Sequence, residues 1–239
     1  MVQKENIFIR LKSHFSVVID VCNSVKRKGF KKSVLIIFGI LFNRLFDFRY
    51  NLDTLPHYDQ SIVVKKGLKK SLTKHAARYD DSSLLALRDL FSVLDPHSEK
   101  VLLDVGCGKG IVLLAALDFN FKEIRGFDHS EYLCDVASRN CLKYQKKVGS
   151  DMNVTIINAS ALDYQFQDDE NVLYFYNPFD AYLSEKFLDL VKDSVLRRKR
   201  KMWIIARNWA GKNLVSKKLE VKRGEQYTFW GRDFTVFTL

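Results

Sequence analysis

The period of the hydrophobic pattern changes along this chain. Ile7, Leu11, Phe15 and Val18 recur at helical spacing, which predicts an amphipathic helix from about Glu5 to Cys22. A basic break from Lys26 to Lys32, centred on Gly29, follows it. The stretch from Val34 to Phe42 is then apolar on every side, and continues to Phe46. It is shorter than the ~20 apolar residues that a bilayer-spanning helix needs. Two placements satisfy such a helix: burial against the domain that follows, or a position in a membrane interface with lysines on the headgroups. Phe46 to Thr54 leads to Pro56 and reads as a connecting loop, and Ser61 to Lys74 as a lysine-rich solvated face.

From Leu84 onward, short apolar runs alternate with amphipathic ones. Leu84 to Leu94 reads as a helix capped by Asp81 or Ser82. Strands are expected at Val101–Val105, Glu123–Phe127, Val154–Asn158, Val172–Tyr176 and Met202–Arg207. Helices are expected between them at Ile111–Phe119, Ser130 to about Lys146, and Tyr182–Leu196. Two β-rich runs around Gly224 and Gly231 fill the tail from Lys217 to Leu239. Such alternation predicts an α/β fold: a parallel sheet with helices on both faces.

An apolar content of 47% is that of a globular chain. The formal charge of +11 is uneven. Residues 1–46 hold nine lysines and arginines against Glu5 and Asp20, a net of +7. Such a segment favours polyanions: anionic lipid, nucleic acid or an acidic glycan. The four cysteines form no Cys-x-x-Cys pair and the five histidines are scattered. Reduced thiols, a cytoplasmic setting and no metal site are therefore expected. The first residues lack a signal-peptide layout.

The candidate chemistry centres on Asp104-Val105-Gly106-Cys107-Gly108-Lys109-Gly110, where a buried strand runs into a glycine turn and then a helix. Glycines at alternate positions let a ligand lie against bare main chain, and the helix behind offers unpaired N–H groups. A dinucleotide fingerprint needs its third glycine one residue later, where Ile111 stands. Asp104 would also repel a pyrophosphate, whereas it suits a ligand bearing ammonium and sulfonium charge. Asp128, at the end of the second strand, is placed to take both hydroxyls of a ribose. Cys107 reads as a small turn residue, because no nearby histidine activates it.

On these two motifs the chain, from about Tyr79 onward, resembles the class I S-adenosylmethionine-dependent methyltransferases. The resemblance implies a Rossmann-like, seven-stranded, mostly parallel sheet over residues 79–239. A connecting segment at 51–78 and a basic, apolar helical extension at 1–50 precede it. It implies S-adenosylmethionine as cofactor, held by Asp104, Gly106, Cys107, Gly108, Gly110 and Asp128, with His129 beside the last. Tyr79 matches an aromatic residue that reaches over the methionine end. Ser160 and Ala161 match the turn beside the adenine, Ser160 replacing an acid that accepts from its amino group.

Asn177-Pro178-Phe179, at the end of the fourth strand, resembles the Asn-Pro-Pro-aromatic motif of amino-group methyltransferases without its second proline. It is also similar to a bacterial group of uncharacterised substrate and, distantly, to the non-SET histone-lysine methyltransferases. Asn177, also beside the cofactor, is expected to accept from the acceptor's N–H, and Phe179 to wall the site. The acceptor class stays open: a nitrogen or oxygen of a protein, glycan or small molecule, or a nucleic acid drawn by the basic runs. A cofactor-binding adaptor without transfer activity is a further alternative. Residues 1–46 are expected to favour an anionic membrane surface, at the inner face of a membrane.

Overall fold

The computed structural model describes residues 29–55, 82–94, 99–221 and 224–239. The expected helix near residues 5–22, the lysine-rich stretch 61–74 and Tyr79 lie outside the described residues. Seven strands are described: β1 (Val101–Val105), β2 (Glu123–Asp128), β3 (Val154–Asn158), β4 (Glu170–Tyr176), β5 (Trp203–Arg207), β6 (Glu225–Phe229) and β7 (Arg232–Thr238). They form one sheet in the order β3-β2-β1-β4-β5-β7-β6. The first five are parallel, and β7 runs antiparallel to β5 and β6. This is the Rossmann-like, mostly parallel sheet expected. The helices are α1 (Phe30–Tyr50), α2 (Leu84–Leu94), α3 (Ile111–Ala116), α4 (Glu131–Val148), α5 (Ala181–Arg197) and α6 (Lys212–Lys218).

The central strands are apolar on both sides because both faces are covered. Leu102, Ile124, Val172 and Ile205 join a core with residues of α2, α3 and α4. Leu103, Phe127, Leu173 and Ile204 join the opposite core with Phe187, Leu188 and Val191 of α5 and Val215 of α6. The β6–β7 turn places Trp230 (φ 51°) and Gly231 (φ 69°) in the left-handed region that a two-residue hairpin turn requires.

Several boundaries differ from the sequence expectation. Helix α1 starts directly after Gly29 and absorbs Phe46–Tyr50, which were expected in a loop. Aromatic packing holds that last turn: Phe46 lies 4.7 Å from Tyr50 and 5.1 Å from Tyr144 of α4. Asp47 then stops the chain from continuing, since its carboxylate accepts from Thr54 N (2.9 Å) and Thr54 Oγ1 (2.8 Å). Helix α3 ends at Ala116 rather than Phe119. Just beyond it, Asp118 accepts from Arg88 Nε and Tyr144 Oη, both at 2.6 Å. Helix α6 was not expected at all; Val215 is its one buried residue, too little for a periodic signal.

The inner face of α1, with Ser33, Ile36, Gly39, Asn43 and Phe46, is buried. Gly39 makes room for Ser83, whose Oγ would lie 2.8 Å from a Cβ there. Asn43 Nδ2 donates to Ser82 O (2.8 Å) and its Oδ1 accepts from Leu84 N (3.1 Å). The first free N–H of α2 is thus capped from another helix. Ser82, one of the two expected caps, instead places its Oγ 3.3 Å from Tyr174 Oη, and Asp81, the other, lies outside the described residues. Burial against the domain, one of the two expected placements, therefore describes this face of α1.

Asn43→Ala leaves the buried Leu84 N–H without its acceptor. We expect it to lower the unfolding free energy by about 1–3 kcal/mol in a denaturant titration. A loss below about 0.5 kcal/mol would show that another group takes over the cap.

Candidate functional site

The bend after β1 is built from residues that only its surroundings can hold in place. Gly106 (φ 75°), Gly108 (φ 53°) and Gly110 (φ 84°) all adopt the left-handed conformation that side chains disfavour. Two of them are also crowded. A Cβ on Gly106 would lie 3.0 Å from Pro178 Cβ, and one on Gly110 3.1 Å from Ala137 Cβ. Phe127 O accepts from Gly106 N (3.0 Å) and Cys107 N (2.9 Å). Cys107 is buried over Gly126, where a Cβ would sit 2.9 Å from the Cys107 Cβ. The hydrogen bond shared with Cys134, then burial, pushes the Cys107 thiol well above its ordinary pKa. A thiol kept protonated is not a nucleophile.

The two expected carboxylates lie side by side at the ends of paired strands and have different lives. Asp128 is engaged: Oδ2 accepts from Gly108 N (3.0 Å) and Oδ1 from Ser130 N (2.9 Å). It therefore fixes both the bend and the start of α4, where Ser130 Oγ caps Leu133 N. Each oxygen keeps acceptor capacity for a hydroxyl. His129 Nδ1 lies 3.3 Å from Asp128 Oδ1, and that contact raises the histidine pKa. Asp104 is 3% exposed, and its Oδ2 is buried without a hydrogen-bond partner. Burial, and secondarily the charge of Asp128, holds its carboxyl well above the usual range. Of the bend, Gly106 alone is exposed. An orphaned carboxylate oxygen next to it fits an ammonium group. Among the described residues no cluster suits a metal ion.

Asn177 is exposed at the end of β4, in a left-handed conformation (φ 44°), and its N donates to Arg207 O (3.2 Å). Pro178 packs on Gly106, so the loop after β4 touches the bend after β1. Phe179 does not wall an open site. It is 5% exposed, its ring 5.6 Å from Phe187 of α5. Burial with the second core corrects the expectation. Ser160 Oγ donates to Asp163 Oδ2 (2.5 Å), which leaves its lone pairs to accept; Ala161 packs beside the second core.

Sequence reading missed the fastening between the bend and the segment after α1. Lys109 Nζ is buried and donates to Asp53 Oδ1 and Leu55 O, both at 2.7 Å. Asn140 Nδ2 donates to Asp53 O and Lys109 O, each at 3.0 Å, and its Oδ1 accepts from Asp53 N (3.0 Å). Nothing local marks this pairing, because Lys109 and Asp53 are 56 residues apart.

The family model of the ribosomal protein L11 methyltransferases (PrmA) matches residues 82–171, from the start of α2 into β4. No curated protein sequence matches the chain. Among solved structures, a SAM-dependent methyltransferase from Aquifex aeolicus is 20% identical, over 70% of this chain and 96% of that one, with a TM-score of 0.47. An RNA methyltransferase from Salinibacter ruber, solved with S-adenosyl-L-homocysteine, is 14% identical over 64% and 88%, with a TM-score of 0.46. The YcgJ protein from Bacillus subtilis is 21% identical over 51% and 50%, with a TM-score of 0.40, so the match spans half of that protein.

The strained state of Asp104 has a measurable sign. Its folded pKa lies above the unfolded value near 4, so the folded chain holds a proton that the unfolded chain has lost. Stability therefore falls as pH rises from the unfolded pKa through the folded one. Asp104→Asn removes that loss. We expect the variant to melt higher than the wild type at neutral pH, by about 2–4 °C per kcal/mol relieved, the difference vanishing below the unfolded pKa. A variant that melts lower at neutral pH would contradict the assigned strain.

Proposed function

We propose that the chain is a class I S-adenosylmethionine-dependent methyltransferase whose cofactor crosses the bend after β1 and whose acceptor meets it at the end of β4. The observation that carries this reading is the unpartnered Oδ2 of Asp104 beside three left-handed glycines. A diphosphate would favour the protonated carboxyl further, whereas an amino acid ammonium supplies the missing donor and stabilises the carboxylate. The match of residues 82–171 to a methyltransferase family supports the same reading.

Bound there, S-adenosylmethionine supplies a methyl group activated by its sulfonium. The protein has to align donor and acceptor, and leave the acceptor lone pair free. Asp104 would bind the ammonium, and Asp128 would take ribose hydroxyls while still holding the bend. His129, Ser160, Ala161 and Tyr79 complete the proposed cofactor set, with Ser160 as a neutral acceptor for the adenine amino group. Asn177 serves both ligands: its carboxamide oxygen accepts from the acceptor's N–H or O–H and orients the lone pair. The acceptor atom is a nitrogen or oxygen on a protein, glycan or small molecule. A nucleic acid is the second reading, favoured by the net charge of +11.

Equilibrium binding tests the cofactor. We expect the wild type to bind S-adenosylmethionine and its demethylated product, Asp104→Asn to weaken both about tenfold or more, and Asp128→Ala to abolish binding. A wild type that binds neither at about 1 mM refutes the proposal. Methyl label appearing in RNA or DNA, rather than in protein, glycan or small molecules of a fractionated lysate, would select the second reading.

A further inference from the structure

Arg207, the last residue of β5, pairs across the sheet with Tyr176 at the end of β4. Its guanidinium lies 3.8 Å from the centre of the Tyr176 ring, and the residue is 3% exposed. Nη1 is buried without a hydrogen-bond partner. Among the described residues no carboxylate forms an ion pair with it. Its charge acts on the Tyr174 hydroxyl, whose pKa it lowers against the larger upward effect of burial.

Arg125 shows what a buried guanidinium looks like when it serves the fold. Glu123, Asp169 and Glu170 hold it at 2.6, 2.6 and 3.2 Å. Arg207 has a ring and a hydroxyl instead, and a desolvated cation without a counter-charge is costly. It also lies at the C-terminal edge of the parallel strands, where open α/β sheets bind ligands. Asn177 and Asn208, which follow Tyr176 and Arg207, are both exposed and both left-handed at φ 44°. Arg207 O accepts from Asn177 N (3.2 Å), so the residue adjoins the proposed acceptor position.

We propose that Arg207 binds an anionic group, a carboxylate or a phosphate, carried by the methyl acceptor. The acceptor role rests on the methyltransferase reading above; the anion site rests on Arg207 alone. Stacking on Tyr176 pre-orients the planar fork for oxygen atoms.

Acetate and inorganic phosphate serve as probes. Each is titrated into the full chain against chloride of equal ionic strength, and the melting temperature is followed. We expect one of the two to raise it saturably, identifying the carboxylate or the phosphate. Arg207→Met should remove the rise, and Arg207→Lys, which keeps the charge but not the fork, should weaken the anion about tenfold. Both variants should keep their affinity for S-adenosylhomocysteine within about twofold. Equal stabilisation of wild type and Arg207→Met, or none in the wild type, overturns the proposal. A wild type that binds the anion but no cofactor overturns the acceptor role and the methyltransferase reading together.

A separate observation concerns the outer face of α1. Phe30, Val34, Leu35, Phe38, Leu41, Leu45 and Phe48 are all exposed there, Phe48 to 89%. Lys31 and Arg49 are exposed on the same helix, whose one acidic residue, Asp47, is buried on the inner face. So large an apolar face marks an interaction site. The net +7 of residues 1–46 selects a negatively charged partner. Among the described residues no helix is long and apolar enough to cross a membrane. We propose that α1 lies flat in the interfacial layer of an anionic bilayer, its outer face among the acyl chains and its lysines and arginines at the headgroups.

Vesicle sedimentation with the full chain tests this. We expect binding to phosphatidylcholine vesicles containing about 30% phosphatidylglycerol, and little to phosphatidylcholine alone. Leu41→Glu with Leu45→Glu should cut that binding about tenfold or more without altering the melting temperature, since both positions are exposed. No binding to anionic vesicles, or equal binding by the double variant, overturns it. A dimer that the double variant splits, with no vesicle binding, assigns the face to a second copy instead.

Discussion

The bend between β1 and α3 has almost no side chains with which to hold its own shape, so its shape is imposed from outside. Phe127 O and the Asp128 carboxylate collect its N–H groups, from Gly106, Cys107 and Gly108. Pro178 closes on Gly106, Ala137 on Gly110, and Cys107 fills the space above Gly126. Lys109 and Asn140 then tie the bend to Asp53 and Leu55. Four other parts of the fold thus hold the bend, and Gly106 is the one residue of it that stays exposed. Disturbing any one of them acts on the same few backbone atoms.

Ionic groups are treated differently at the two ends of the sheet. Arg125, Glu123, Asp169 and Glu170 form a bonded cluster toward the N-terminal ends of β2 and β4, and Tyr164 Oη joins it through Glu170 at 3.0 Å. Arg125 Nε and Glu170 Oε2 are left without a partner even there, but each side chain has an opposite charge within 3.2 Å. At the C-terminal ends, Asp104 and Arg207 are equally buried and, among the described residues, neither has an ion-pair partner. The first arrangement contributes to folding. The second detracts from it, and such a cost persists where binding supplies the missing partner.

The parts legible in the sequence are those that local pattern decides. The apolar run Val101–Val105, the alternate glycines and Asp128 announced the central strands and the bend, because strand burial and backbone conformation are written in neighbouring residues. Long-range fastening was not legible. Lys109 finds Asp53, and Asn43 caps α2 at Leu84, across 56 and 41 residues. Phe179 looked like an acceptor wall because its place beside Asn177 was visible and its rotation into the core with Phe187 was not. Val34 to Phe42, the middle of α1, reads as apolar on every side, which is true of those residues. That pattern combined one face packed on the domain with another left uncovered, and only the fold separates the two.

The first turn of α1 rests on the β6–β7 turn. Lys32 O would lie 2.8 Å from a Cβ on Gly231, Phe38 stacks on Trp230 at 5.6 Å, and Lys32 pairs with Asp233 at 3.2 Å. Those partners are 201 residues apart in the chain. A ribosome adding about 5–20 residues per second makes the helix roughly 10–40 s before the hairpin that seats it. During that interval the inner face of α1 can already meet α2 and α4, but its first turn lacks the hairpin that seats it.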